Sequence, residues 1–506
     1  MYRFLLIFSV ILCPEPVLAN PTGESTFLIH NVIIIDGSGD ARRPGAVRIR
    51  DGVISEAGLL IPQVGELLID GQGKVLAPGF IDTHSHVASE IKTKREAFAA
   101  VSQGITTAIG GQDGSSPDSL QAYFDQFNEN PGAINIAFYS GHNSLRERVM
   151  GNDFKRTAND GEVESMSELL EIDMKAGALG VATGLEYEPG IYSETSEVIA
   201  LAKVAAQYNG RYMSHIRSED RWFLEAVDEI IEIGRVAKLP VQISHFKLAM
   251  KSLWGRADEV IAKLDAARAE GVDITADLYP YEYWQSNIMV LVPSRDLNAR
   301  SEFEFALAEI TPPEGLWFTQ FDPQPEYVGK KLSEIAQIRS LDPVTTLMQM
   351  AAESRAMENH DLQGADAIIG TSMTEEDILA LIAWPHTNIC TDGGLDDLHP
   401  RAIGTYPKIL GRYVREKGAL GLEEAIHKMT GLAAHHVGLK SRGLIKTGQA
   451  ADLVLFDPDT ILDRATPIEP KLASVGIMTV WVNGSMVFND GTVTGNHPGQ
   501  IIKRGE

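Results

Sequence analysis

Five side chains in this sequence are metal-ligand types that fall at comparable places: His84, His86, His215, His245 and Asp392 each close or follow a short apolar run. In Gly79-Phe80-Ile81-Asp82-Thr83-His84-Ser85-His86, Asp82, His84 and His86 occupy alternate positions. A strand's period of two puts both imidazoles on one side, within reach of one ion. His215 and His245 are 30 residues apart, the length of one strand–helix unit. A divalent cation held by such a set lowers the pKa of bound water towards ~7, making hydroxide available, and polarises a carbonyl. Asp392, at the edge of the set, is the candidate general base that takes the water's proton. A histidine taken alone is more often a hydrogen-bonded structural residue. Four of them with an aspartate, gathered at the ends of four strands, are poorly explained by chance. The adjacent His435-His436 would point apart on a helix and read as structural.

The elements that would position these groups alternate regularly. Candidate strands are Gly79–His86, Ile105–Gly111, Ile134–Gly141, Leu179–Leu185, Arg211–His215, Val241–His245, Val272–Leu278 and Thr387–Thr391, with helical stretches between them. Leu224, Val227 and Ile231 mark one such helix between Ser218 and Leu239. Eight strand–helix units predict an α/β fold, a (β/α)8 barrel whose ligands gather at its C-terminal mouth. The rhythm breaks from about residue 284 to 346, where Pro293, Pro312, Pro313, Pro323 and Pro325 suggest an inserted lid or subdomain. Both chain ends are β-rich instead, with turn dipeptides at Asp51-Gly52, Asn483-Gly484 and Asp490-Gly491. The expected division is a signal peptide at 1–19, a small β-sandwich built from 26–75 and 441–506, and a barrel over 76–440.

Composition narrows the function classes. The chain has 506 residues, 44% of them apolar and 22% charged, too hydrophobic for a disordered protein. A formal net charge of −25 with no basic block would repel nucleic acid and anionic lipid. Arg3, the apolar run Phe4–Leu12 and Val17-Leu18-Ala19 before Asn20 read as a cleavable export signal. That run is far shorter than the ~20 residues needed to span a bilayer. Lipid attachment at Cys13 is disfavoured by the bulky Leu12. The expectation is a secreted or periplasmic protein with no membrane contact once the signal is removed. Its single remaining cysteine, Cys390, leaves histidine and carboxylate as the metal ligands.

The first-strand run Pro78–His86 resembles the signature of the amidohydrolase superfamily. A closer resemblance, to the N-acyl-D-amino-acid deacylases (D-aminoacylases), is carried by Gly104-Ile105-Thr106-Thr107, Thr183-Gly184-Leu185-Glu186-Tyr187-Glu188-Pro189-Gly190, Ser214-His215-Ile216-Arg217 and Ser244-His245-Phe246-Lys247. It continues through Thr391-Asp392-Gly393-Gly394, His399-Pro400-Arg401 and Gly404-Thr405-Tyr406-Pro407, and Gly448–Val454 is similar to the superfamily's tail. The family places a metal-binding cysteine after the second strand, where this chain has Asp113 in Gly110-Gly111-Gln112-Asp113-Gly114. A carboxylate is a harder ligand than a thiolate, carries the same charge and can bridge two cations; capping the following turn is the alternative role.

The resemblance implies one or two divalent ions, zinc foremost. His84, His86 and Asp392 would hold one, His215 and His245 the other, and Asp113 would join them. It also implies that Arg401 binds a substrate α-carboxylate, for which a surface pair with Asp396 or Asp397 is the alternative. A tyrosine after the seventh strand would assist, Tyr279 and Tyr281 both qualifying, and Lys247 could face the same pocket. The implied partner is a small carboxylate-bearing amide, an N-acyl-D-amino acid or short D-residue peptide, hydrolysed by metal-activated hydroxide. Lactone, cyclic-imide or other amide and ester hydrolysis on the same barrel, and metal binding without turnover, are the alternatives.

Overall fold

The computed structural model describes residues 26–357 and 364–506. The export signal expected at 1–19, with Cys13, lies outside the described residues. Among them, no helix is long and apolar enough to cross a membrane.

Eight parallel strands form the barrel: Phe80–Asp82, Ile105–Gly110, Asn135–Phe138 continued by Ser140–Gly141, Gly180–Gly184, Arg211–His215, Val241–Ile243, Ile274–Leu278 and Thr387–Ile389. Each pairs with the next. A parallel bridge between Ser85 and Gly393 closes the circle. Closure is reinforced by Asp82, which accepts hydrogen bonds from the Thr391 amide (2.8 Å) and hydroxyl (2.6 Å). This tie holds the first-strand histidines beside Asp392. Helices pack their apolar stripes outside, as in Phe223–Ala237, which buries Ala226, Val227, Ile230 and Ile231. Gly79 is dictated by close approach, since a Cβ there would lie 2.2 Å from the Thr106 side chain.

The chain ends build one sheet of nine strands, joined where Val75–Pro78 pairs antiparallel with Leu453–Phe456. The strand ladder is continuous and curls back on itself: the turn at Gly52 meets Ala451, and Val53 bridges Ala450. Its inner face encloses Ile29, Val47, Ile49, Leu76, Leu453 and Trp481. The three turn dipeptides behave as their composition demands, each with both residues at positive φ between antiparallel strands.

The excursion before the last barrel strand is longer than its prolines suggested. Tyr283–Ser286 and Leu316–Phe321 flank Asp366–Thr371 in an antiparallel sheet, so the excursion's central strand lies beyond residue 346. Prolines mark loops, and this strand contains none.

Beneath the barrel mouth lies a satisfied polar plug. Asp277 Oδ2 accepts from Thr83 Oγ1 (3.0 Å) and Gln242 Nε2 (2.8 Å), and its Oδ1 from the His245 amide (2.6 Å). Asn388 joins Thr83 to His436, whose Nδ1 lies 2.7 Å from the Asn388 amide oxygen. The structural role expected of the His435-His436 pair thus has a partner at His436, whereas His435 is exposed. Asp277→Ala would orphan several buried donors at once, an expected loss of about 2–4 kcal/mol in chemical denaturation.

Candidate metal centre and substrate cavity

Local backbone conformation aims the ligands. Asp113 (φ 54°), His245 (φ 35°) and Asp392 (φ 51°) all adopt left-handed backbone. Such conformations cost about 1–3 kcal/mol and cluster where a site requires a side chain to turn inward. At His245 the amide's bond to Asp277 holds the turn in place.

Two donor sets share one carboxylate. His84 Nε2 lies 3.5 Å from Asp113 Oδ2 and 3.3 Å from Asp392 Oδ1; His86 Nε2 lies 3.4 and 3.1 Å from the same atoms. The other Asp113 oxygen, Oδ1, is 3.4 Å from His245 Nε2 and 3.9 Å from His215 Nδ1. Thus each oxygen of Asp113 faces one half of the site, and the donors of each half lie within 4.8 Å of one another.

The donor set fits zinc-like cations. With bonds of about 2.0–2.1 Å, neighbouring tetrahedral ligands stand about 3.3 Å apart, close to the spacings around Asp113 Oδ2 and Asp392 Oδ1. His84 Nε2 and Asp113 Oδ1 are buried without a hydrogen-bond partner, as atoms reserved for an ion would be.

Electrostatics point the same way. Burial pushes His86 down, but Asp113 and Asp392 outweigh it and lift its pKa to about 9; the same carboxylates raise His84 well above its usual range. Burial raises Asp113, but the imidazoles prevail and hold it well below the carboxylate range. His215 is held near 4 chiefly by burial and so stays neutral. A ligating imidazole must be neutral, and His245 is raised as well, so cation uptake at pH 7 is expected to expel protons, from His84 and His86 foremost. Affinity should then rise with pH through the range above 7. Calorimetric titration in buffers of different ionisation enthalpy reads the proton count.

Two glutamates, which with His215 form a third candidate donor group, contact the second pair of imidazoles. Glu186 Oε2 lies 2.9 Å from His215 Nε2, and Glu219 Oε1 lies 2.9 Å from His245 Nδ1. Such contacts fix which ring nitrogen faces the ion. Neither glutamate follows from sequence spacing, because both lie in irregular loops just past a strand.

Beside this cluster is a cavity of about 440 Å³, lined in part by Tyr187, Lys247, Tyr279, Trp284, Leu291 and Arg401. Arg401 is 5% exposed, and its Nη1 lies 2.6 Å from Asp392 Oδ2, so the alternative of a surface pair with Asp396 or Asp397 does not hold. Its guanidinium stacks 4.7 Å from the Tyr279 ring centroid. The Tyr279 hydroxyl is buried without a partner. Lys247 faces the cavity, with Glu219 2.5 Å away. Tyr281 is the residue the structure does not bring to this cavity. Its hydroxyl donates to the Pro400 carbonyl at 3.4 Å and its ring packs edge-on to His399, because Pro280 turns the chain between the two tyrosines.

An eight-stranded barrel presenting four imidazoles and two carboxylates at its mouth, beside a buried guanidinium, defines the class of metal-assisted hydrolases. Comparison with known proteins agrees. The signature of the amidohydrolase family matches residues 67–286 and 336–488, the gap falling within the excursion. The D-aminoacylase of Alcaligenes xylosoxydans xylosoxydans is 33% identical, covering 94% of this chain and 97% of that protein. The same organism's N-acyl-D-glutamate deacylase is 34% identical, covering 93% and 95%. A solved N-acyl-D-glutamate deacylase from Bordetella bronchiseptica, complexed with zinc and a phosphonate mimic of the reaction's tetrahedral intermediate, superposes with a TM-score of 0.84. It is 34% identical and covers 94% of this chain and 99% of its own. The chain belongs to the amidohydrolase family.

Proposed function

We propose that this protein hydrolyses the amide bond of N-acyl-D-amino acids with the help of one or two divalent cations, zinc foremost. The observation that carries the reading is the buried Arg401 paired with Asp392 at the edge of a donor cluster that Asp113 divides in two. His84, His86, Asp113 and Asp392 would hold one ion, and Asp113, His215 and His245 a second. The bound cation supplies Lewis acidity, acidifying water and polarising the scissile carbonyl.

The side chains do the rest. Arg401 takes the substrate α-carboxylate through its planar fork, helped by the Tyr279 hydroxyl and the Lys247 ammonium. Asp392 accepts the water's proton as the hydroxyl oxygen bonds to the carbonyl carbon. It then passes that proton to the amide nitrogen as the C–N bond breaks, leaving an amine and a carboxylic acid that ionises by losing its proton to solvent. Burial raises the Asp392 carboxyl, but Arg401 and the histidines outweigh it and hold it well below its usual range, unsuited to this task. Substrate binding corrects the mismatch. A carboxylate arriving at Arg401 draws the guanidinium away from Asp392 Oδ2 and frees that oxygen to act as a base.

Arg401→Ala is expected to lower kcat/KM for N-acetyl-D-amino acids by about 10²-fold or more, since it removes one partner of a buried charge pair. Amides lacking the α-carboxylate should lose much less, which steady-state kinetics on matched substrates will read. The activity itself is tested with paired N-acetyl-D- and N-acetyl-L-amino acids: hydrolysis of the D-forms supports the reading, and hydrolysis of L-forms alone overturns its stereochemistry. The reading places the enzyme outside the cytoplasm, supported by the basic start, apolar run and small-residue site at 1–19. Mass analysis of the mature chain should then find Asn20 at its start.

A further inference from the structure

The terminal sheet carries an apolar patch that takes no part in the chemistry above. Leu59, Ile61 and Val64 are each 84% exposed or more, and Leu67 and Leu68 are about half exposed. All five fall within ten residues, and residues 57–65 carry no charge. Together they present roughly 700 Å² of aliphatic residue surface, more than the about 300–600 Å² of the largest patch on a typical monomer.

The patch is held firmly from beneath. Arg48, 2% exposed, donates from Nε to Glu66 Oε1 at 2.6 Å, from Nη2 to the Ile61 carbonyl at 2.8 Å and from Nη1 to Glu56 Oε1 at 2.8 Å. Glu66 Oε2 also accepts from the Gln63 amide at 3.0 Å. Aliphatic side chains are thus held out in water on a fixed backbone, which lowers the ordering cost of docking. The strand that follows, Leu67–Asp70, pairs in parallel with Thr26–Ile34 and, among the described residues, with no other strand. Its outer edge is open to further backbone hydrogen bonds. Edge strands are usually guarded by lysine, proline or a covering element, whereas this one begins with two exposed leucines.

Charge and area select the occupant. With a formal net charge of −25, the protein repels anionic lipid, and it repels its own copies wherever charged faces would meet. An uncharged patch is where a second copy approaches with least repulsion. Across a two-fold axis the same patch meets itself, and an edge strand pairs antiparallel with its own copy. The exposed area is close to the ~800 Å² per partner of a standard interface. We infer that this protein forms a two-fold dimer through residues 59–70, with Leu67–Asp70 continuing the terminal sheet from one copy into the other. None of these residues belongs to the metal centre or its cavity, so pairing is separate from turnover.

Sedimentation velocity of the purified protein between about 1 and 50 μM tests this, with a dimer expected by the upper concentration. The dimer should tighten as salt is raised, because salt screens the repulsion between like-charged copies. Hydrogen exchange across residues 59–70 should slow severalfold over the same rise in protein concentration. Combining Ile61→Asp with Val64→Asp places like charges across the two-fold and should raise the dimer Kd by about 100-fold or more, at an unchanged melting temperature. Ile468→Asp, at an aliphatic side chain 77% exposed elsewhere, should leave the dimer intact. A monomer at the upper concentration, a dimer that weakens with salt, or one that survives the double substitution overturns the inference. So does a dimer lost equally in the Ile468 variant. Flotation with phosphatidylcholine vesicles covers the remaining occupant: recruitment of wild type but not of the double variant would make lipid, and not a second copy, the partner.

Discussion

Asp392→Asn is expected to leave a folded, metal-loaded protein that turns over N-acyl-D-amino acids about 10²–10⁴-fold more slowly. That range is what a positioned general base contributes. Asparagine keeps the shape and retains a carbonyl oxygen where Oδ1 faces His84 and His86. It cannot accept and return a proton. KM should move little, because the carboxylate-binding Arg401 is untouched. Metal analysis alongside steady-state kinetics distinguishes the two roles assigned to Asp392: a kcat collapse at unchanged metal content identifies the proton carrier, whereas parallel loss of both would reduce Asp392 to a ligand.

Asp113→Ala is expected to be as damaging by a different route. One carboxylate faces both halves of the site, so its removal takes a ligand from each and strips the imidazoles of their nearest common counter-charge. Metal content should fall, and kcat/KM should drop by about 10³-fold, the cation being the source of activated water. Asp113→Cys supplies the ligand that the resembling deacylases use at this place and keeps the negative charge. It should retain metal where alanine does not. Equal metal content and activity in the alanine variant would show that Asp113 caps its turn and nothing more.

The strand-end residues were the legible part of this site. His84, His86, His215, His245 and Asp392 lie where apolar runs stop, and the barrel's parallel closure brings all five to one rim. Asp113 was legible only through family resemblance, because its φ of 54° comes from a glycine-rich turn that no periodicity describes. Tyr279 and Tyr281 could not be separated from sequence, since the choice depends on how the chain turns at Pro280. Glu186, Glu219 and Asp277 were not legible as functional. The two glutamates sit in irregular loops, and Asp277 lies within a buried strand where only tertiary packing reveals that it holds the His245 amide. The excursion's central strand was missed because its partners are more than 40 residues away in sequence.

The central claim is that side chains distant in sequence converge on a cation that this chain needs for amide hydrolysis. Removal and return of metal test it most directly. The protein is chelated and dialysed to a measured metal content, then titrated with zinc while hydrolysis of matched N-acyl-D- and N-acyl-L-amino acids is followed. The account predicts loss of activity on chelation, recovery in step with zinc bound, and turnover of the D-forms. Undiminished hydrolysis by the metal-free protein would contradict it.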